Sequence, residues 1–112
     1  MTLEEQLARQ ALQLCLKSMD GQLSPSEIKL AAWLIAAAFR LGGFPVEFSM
    51  REIKEGCVRG SVALTGWGAH YRTIGAAISG LQDKNVFTVQ DGTRRRFGHL
   101  NKVFTPTPPN RG

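Results

Sequence analysis

The architecture of this chain turns on the run Arg72-Thr73-Ile74-Gly75-Ala76-Ala77-Ile78-Ser79-Gly80-Leu81-Gln82-Asp83-Lys84-Asn85-Val86-Phe87. Ile74, Ile78 and Leu81 recur at i, i+4 and i+7, the spacing of one apolar helical face. Asn85 then offers the left-handed conformation that ends a helix. Val86 to Val89 is a β-branched and aromatic run, and the Asp91-Gly92 pair after it is a strong turn signal. Arg94, Arg95 and Arg96 stand on the return side. The passage predicts an amphipathic helix over Ala69 to Lys84 leading into a β-hairpin tipped with three arginines. A two-residue Asp91-Gly92 turn would pair Gln90 with Thr93 and Val89 with Arg94. Arg94 and Arg96 would then share one face, with Arg95 on the other. Strand character returns in Leu100 to Phe104.

Projection at about 100° per residue puts Arg72, Ala76, Ser79 and Asp83 opposite the apolar face. Thr73 and Gly80 flank that outer surface, while His70 and Tyr71 fall at the edges of the buried side. Small side chains let a helix backbone sit deep in a DNA major groove, and residues near the helix N-terminus are the ones that reach base edges. The bland alternative is that Ala76, Ser79 and Gly80 pack against another helix.

Upstream, three helix starts are written in capping boxes. Thr2 with Glu5 opens a first helix that ends near Met19. Ser24 with Glu27, and Pro25 at the first helical position, opens a second that Gly42-Gly43 closes. Its residues Ile28, Ala32, Ile35 and Phe39 form one stripe, yet Leu30, Trp33, Leu34 and Ala37 lie around the rest. A helix apolar on nearly all sides is central to its domain or faces a partner chain. Phe44 to Phe48 reads as a short extended connection. Ser49 with Glu52 opens a short third helix that ends at Gly56. Cys57 to Gly68 reads as a glycine-rich loop, with a short extended piece at Val62 to Leu64. Gly66 and Gly68 alone are too weak a pattern for a phosphate-binding loop.

With 112 residues, 43% of them hydrophobic and 21% charged, the chain fits one ordinary globular domain. We place that domain at residues 1–105, followed by a proline-rich tail over 106–112. No apolar run approaches the roughly 18 residues of a membrane span. The acidic start Thr2-Leu3-Glu4-Glu5 fits neither a secretory signal nor a transit peptide, so a cytosolic protein is expected. Cys15 and Cys57 are too few for a disulfide framework or a zinc site. His70 and His99 stand apart from any acidic residue at ligand or triad spacing. No metal, cofactor or enzymatic activity is expected.

The net charge of +5 is unevenly spread. Residues 1–55 hold six basic and seven acidic side chains, whereas residues 56–112 hold eight basic and two acidic ones. All the surplus positive charge therefore lies in the half with the helix and hairpin. Such a face attracts polyanions through phosphate contacts and counterion release.

The run Arg72-Thr73-Ile74, Ile78, and Leu81-Gln82-Asp83-Lys84-Asn85-Val86-Phe87 resembles the recognition-helix-to-wing passage of winged helix-turn-helix proteins. The nearest relatives suggested are amino-terminal domains of phage and plasmid replication or regulatory proteins. The resemblance spans Ser24 to Phe104, with Asn85 where that pattern has glycine, a long loop before the recognition helix, and an added N-terminal helix. It implies a mainly α fold with a small β-hairpin wing and a protein that binds double-stranded DNA. Carried over by position, Arg72 and Thr73 would face the bases, and the Arg94, Arg95 and Arg96 wing would reach the backbone or minor groove. Ala76 and Ser79 on the same outer helix face and Lys102 beside the wing complete the candidate DNA contacts. Arg59 is a further candidate cation. A homodimer through the N-terminal helices, structured RNA as ligand, and a protein-docking role without DNA readout stay open.

Overall fold

The computed structural model describes residues 2–96 and 99–107, with backbone alone at 3, 4, 6, 15, 17–19, 93–96, 99 and 100. In chain order the elements are α1 (Leu3–Met19), α2 (Pro25–Leu41), β1 (Val46–Phe48), α3 (Met50–Glu55), β2 (Gly56–Arg59), β3 (Val62–Thr65), α4 (Tyr71–Asp83), β4 (Phe87–Arg96) and β5 (His99–Pro106).

The helix starts follow the capping chemistry. The Glu5 amide donates to the Thr2 hydroxyl at 3.2 Å. At α2 the Glu27 amide donates to Ser24 Oγ (3.2 Å) and the Ser24 amide to Glu27 Oε1 (2.8 Å). Ser49 and Glu52 repeat the exchange at α3. At the end of α4, Asn85 takes φ 59°. Its amide bonds the Gln82 carbonyl and the Val86 amide the Leu81 carbonyl, the paired contacts of a Schellman ending.

α2 is the central element, in contact with α1, α4, β1 and β3. Its buried line is Leu30, Ala31, Leu34, Ala37 and Ala38. The stripe suggested by periodicity is displaced: Ala32 and Phe39 are exposed, and Ile28 and Ile35 are half-buried against the core. A helix that is apolar almost all round does not specify by periodicity which face goes inward. From α4 come Ile74, Ala77, Ile78 and Leu81, and from the sheet Val46, Phe48, Phe87 and Phe104. Trp33 meets Phe48 edge-on at 4.9 Å.

The expected mainly α fold with only a small wing is overturned. Among the described residues the chain is α+β, with five strands in two antiparallel sheets, ordered β1-β5-β4 and β2-β3. Three readings account for the difference. The extended connection before α3 contains β1, which pairs with β5 in the register Val46↔Phe104 and Phe48↔Lys102. Three residues are too few to show a period, and their partners lie far along the chain. The glycine-rich stretch after α3 is the β2–β3 hairpin, with Cys57↔Leu64 and Val58↔Ala63 in register.

The third is the turn. β4 runs straight through Asp91-Gly92, so the pairings of Gln90 with Thr93 and Val89 with Arg94 do not form. Instead Val89 pairs with Phe104, Gln90 with Val103, Asp91 with Lys102 and Arg96 with His99. Between Asp91 and Arg95 the register slips: β4 advances four residues while β5 advances two, from Lys102 to Leu100. β4 ends at Arg96 and β5 begins at His99; residues 97–98 lie outside the described residues. The proline-rich stretch begins inside β5, whose end is extended by a Thr107 amide bond to the Val86 carbonyl at 3.1 Å. The rest of that stretch, 108–112, is outside the described residues.

Candidate nucleic-acid interface

α4 presents the outward line expected of it. Arg72, Ala76, Ser79 and Asp83 are all exposed, and Thr73 is half-exposed. Gly80 departs from that expectation, because it packs against α2. A Cβ at Gly80 would come within 2.7 Å of the Glu27 carboxylate carbon. Glu27 is itself held by the Lys84 ammonium at 2.6 Å. Burial by itself would raise the Glu27 carboxyl, but the hydrogen bond and charge of Lys84 and the bonds from Ser24 outweigh it and hold it below the ordinary carboxylate value. His70 and Tyr71, expected at the edge of the buried side, are exposed. Lys54 Nζ lies 5.2 Å above the Tyr71 ring.

The N-terminus of α4 differs from those of α2 and α3. Its N-cap residue His70 makes no side-chain capping bond, and no acidic residue occupies the first turn. The amides that Glu27 and Glu52 help to screen elsewhere are here left with the positive end of the helix dipole. Arg72 adds a full positive charge one residue into that turn. The absent cap is legible in the sequence: His70-Tyr71-Arg72-Thr73 has neither a hydroxyl or Asx residue at the cap nor an acid after it.

The structure also sorts the cations of the basic half. Lys84 is paired with Glu27, and Lys102 with Asp91 at 2.6 Å in an exposed cross-strand pair. Arg59 does not join the outer surface. Its Nη2 donates to the Glu47 carbonyl and lies 3.4 Å from both oxygens of Glu52, and its guanidinium covers the Phe48 ring at 4.4 Å. Arg59 is thus turned into the fold, and we remove it from the candidate contact set. Arg72 alone among the described side chains of this half carries its charge with no carboxylate partner. Arg94, Arg95 and Arg96 lie on the last residues of β4, at the far end of the hairpin; their side chains are outside the description.

Cys57 is a free thiol, half-buried. Burial, then the charge of Glu52, pushes its pKa up, which makes it a poor nucleophile at neutral pH. No group of three or more His, Cys, Asp or Glu residues placed to hold a metal occurs among the described residues. No helix there is long and apolar enough to cross a membrane.

Compared with known proteins, the chain matches no family model, no curated protein and no solved structure.

Proposed function

We propose that the chain is a cytosolic, sequence-specific double-stranded DNA-binding protein, a small transcriptional or replication regulator of phage or plasmid type. The observation that carries this reading is the exposed N-terminal turn of α4, uncapped and free of acids, with the unpaired Arg72 leading a line of small side chains. The resemblance of the Arg72–Phe87 run to a recognition helix entering a wing supports it, and so does the charge surplus of the second half. In this reading Arg72, Thr73, Ala76 and Ser79 meet base edges in the major groove. The arginine end of the β4–β5 hairpin holds phosphates beside it, whereas Lys102 is already paired with Asp91. Asp83, at the far end of the same line, is repelled by phosphate, so α4 enters N-terminus first.

The test is a titration against random duplex DNA, random duplex RNA and the DNA upstream of the chain's own gene, at two salt concentrations. Tighter binding to one DNA, weakening steeply with salt, is expected. No binding to any nucleic acid at low salt sinks the proposal. Replacing Arg94, Arg95 and Arg96 together by alanine should reduce the salt slope by about 2.7, at roughly 0.9 per phosphate contact. Arg72→Ala should cost about 1–3 kcal/mol on the preferred DNA and far less on random DNA.

A second reading rests on a different observation. Leu12 and Leu16 on α1 and Phe39 on α2 are exposed by 60%, 54% and 59%. Such side chains suit a protein contact, either a homodimer through the N-terminal helices or a docking role without DNA readout. Mass in solution with and without DNA separates these cases.

A further inference from the structure

The β2–β3 hairpin interrupts the connection between α3 and α4, yet it is a closed excursion. The chain leaves at Gly56 and returns at Gly66, and the two backbones touch there. A Cβ on Gly66 would lie 2.5 Å from the Gly56 nitrogen, and one on Gly56 would lie 2.8 Å from the Gly66 nitrogen. The Trp67 amide then bonds the Ile53 carbonyl at 2.7 Å and the Gly68 amide the Lys54 carbonyl at 2.9 Å. The connection is therefore back on the end of α3 before α4 begins.

The hairpin is also fastened along its length. Trp33 Nε1 donates to the Thr65 carbonyl at 2.8 Å and Arg40 Nη1 to the Ala63 carbonyl at 2.6 Å. The remaining fastening is Arg59, and its partners straddle one corner of the chain. Glu47 and Phe48 end β1, and Ser49 caps α3. Arg59 bonds the Glu47 carbonyl and covers Phe48 on the sheet side, and faces the Glu52 carboxylate on the helix side. That carboxylate also receives the Ser49 amide at 2.9 Å. Arg59 Nε is buried and has no hydrogen-bond partner among the described residues.

We infer that Arg59 is a positioning residue that fixes the angle between the three-stranded sheet and the α3–α4 pair. β1 is hydrogen-bonded to β5, so the corner governs the β4–β5 hairpin; α3 packs on α4, so it also governs the proposed reading helix. The consequence for DNA rests on the DNA-binding reading above: two contact elements bind one duplex specifically only if their mutual angle is held. A planar guanidinium that stacks and bonds two partners at once is not replaced by a lysine, so Arg59→Lys should act like Arg59→Ala.

Residual dipolar couplings of backbone amides test the brace without DNA. A single alignment tensor should fit the sheet and the α3–α4 pair in the wild type. Arg59→Lys and Arg59→Ala should each need two. Glu52→Gln, which keeps an oxygen for the Ser49 amide, should loosen the corner in the same direction and serves if Arg59→Ala does not fold. A single tensor in all folded variants overturns the inference.

The second arm uses a duplex selected by the wild type from a random library. Arg59→Lys should lower the preference for that duplex over random DNA by about tenfold, the size of one lost base contact, with the salt slope unchanged. A slope reduced by about 0.9 in Arg59→Ala and restored in Arg59→Lys would make Arg59 a phosphate contact and overturn the brace. If the wild type selects no duplex, the DNA-binding reading fails, and the dipolar couplings still decide the brace.

Discussion

The two hairpins of this molecule use arginine in opposite ways. β2–β3 turns its one arginine inward, where Glu52, the Glu47 carbonyl and the Phe48 ring receive it. Its outward face is uncharged: Val58 is 72% exposed, and Ala63 and Thr65 are exposed beside it. β4–β5 instead places three successive arginines at its far end, and its described carboxylate, Asp91, is already taken by Lys102. A basic residue on a hairpin is therefore not by itself a ligand contact. What decides is whether an acid from another element waits beneath it. Glu52 does so for Arg59, and in doing so it removes one cation from the face expected from the sequence.

The bases of the two hairpins differ as well, and that difference gives the largest expected effect. Gly56 has φ +91°, and a Cβ there would press on backbone atoms of Thr65 and Gly66. Backbone at both ends of the contact cannot yield without opening the hairpin. Gly56→Ala should cost about 3–5 kcal/mol, combining left-handed strain with overpacking, and Gly66→Ala should come close to it. Gly60 at the tip also has a positive φ, +61°, but nothing lies within 4 Å of its Cβ position. Gly60→Ala should cost only about 1 kcal/mol. Urea unfolding midpoints check both. Equal costs at tip and base would mean that the closed base does not hold the hairpin.

Much of the helical frame was legible in the sequence because its signals are local. Ser24-Glu27 and Ser49-Glu52 fixed two helix starts, Gly42 and Asn85 marked two helix ends, and Ile74, Ile78 and Leu81 marked the buried face of α4. The outward line Arg72, Ala76, Ser79 and Asp83 followed from the same period. The strands were less legible because their causes are remote. β1 owes its existence to β5, and the inward turn of Arg59 to Glu52 on another element. The Asp91-Gly92 pair carries a true local preference that a longer ladder overrides. The base of β2–β3 requires Gly56 and Gly66 together, ten positions apart, and no single-residue propensity reports such a pair.

The contact between α2 and α4 predicts a smaller, pH-dependent effect. Glu27 is almost wholly buried while Lys84 keeps a side-chain exposure of 40%, so solvent screens part of the attraction. Glu27→Gln keeps an oxygen for the Ser24 amide but loses the charge, and should cost about 1 kcal/mol at neutral pH. The folded-state pKa of Glu27 is lowered, so the unfolded chain takes up its proton first as the pH falls. The Glu27 contribution is then fully present above the ordinary carboxylate value of about 4.3 and is lost as the pH drops through the folded value. Unfolding midpoints of wild type and Glu27→Gln should differ at neutral pH and converge as the pH falls below the ordinary carboxylate range. A constant gap over that range would show that the charge on Glu27 contributes nothing.

The smallest effect is expected at the β4–β5 hairpin, and it is the sharpest contrast with β2–β3. Gly92 is buried, and a Cβ there would lie 2.7–2.9 Å from the carboxylate of Glu47, on β1 across β5. That obstacle is the far end of a flexible side chain, and Gly92 does not take a left-handed φ. The Glu47 side chain has to change its χ angles while the backbone stays in place, so Gly92→Ala should cost about 1 kcal/mol. Were Asp91-Gly92 a two-residue hairpin turn, Gly92 would need a positive φ. Alanine would then carry left-handed strain of roughly 1–2 kcal/mol and weaken the register of the hairpin. The two cases separate in nuclear Overhauser contacts across the strands. In the Gly92→Ala protein, contacts joining Asp91 to Lys102 and Arg96 to His99 should persist at wild-type strength. Contacts joining Gln90 to Thr93 would instead place the turn at Asp91-Gly92, and the two hairpins would then both close on glycine turns of positive φ.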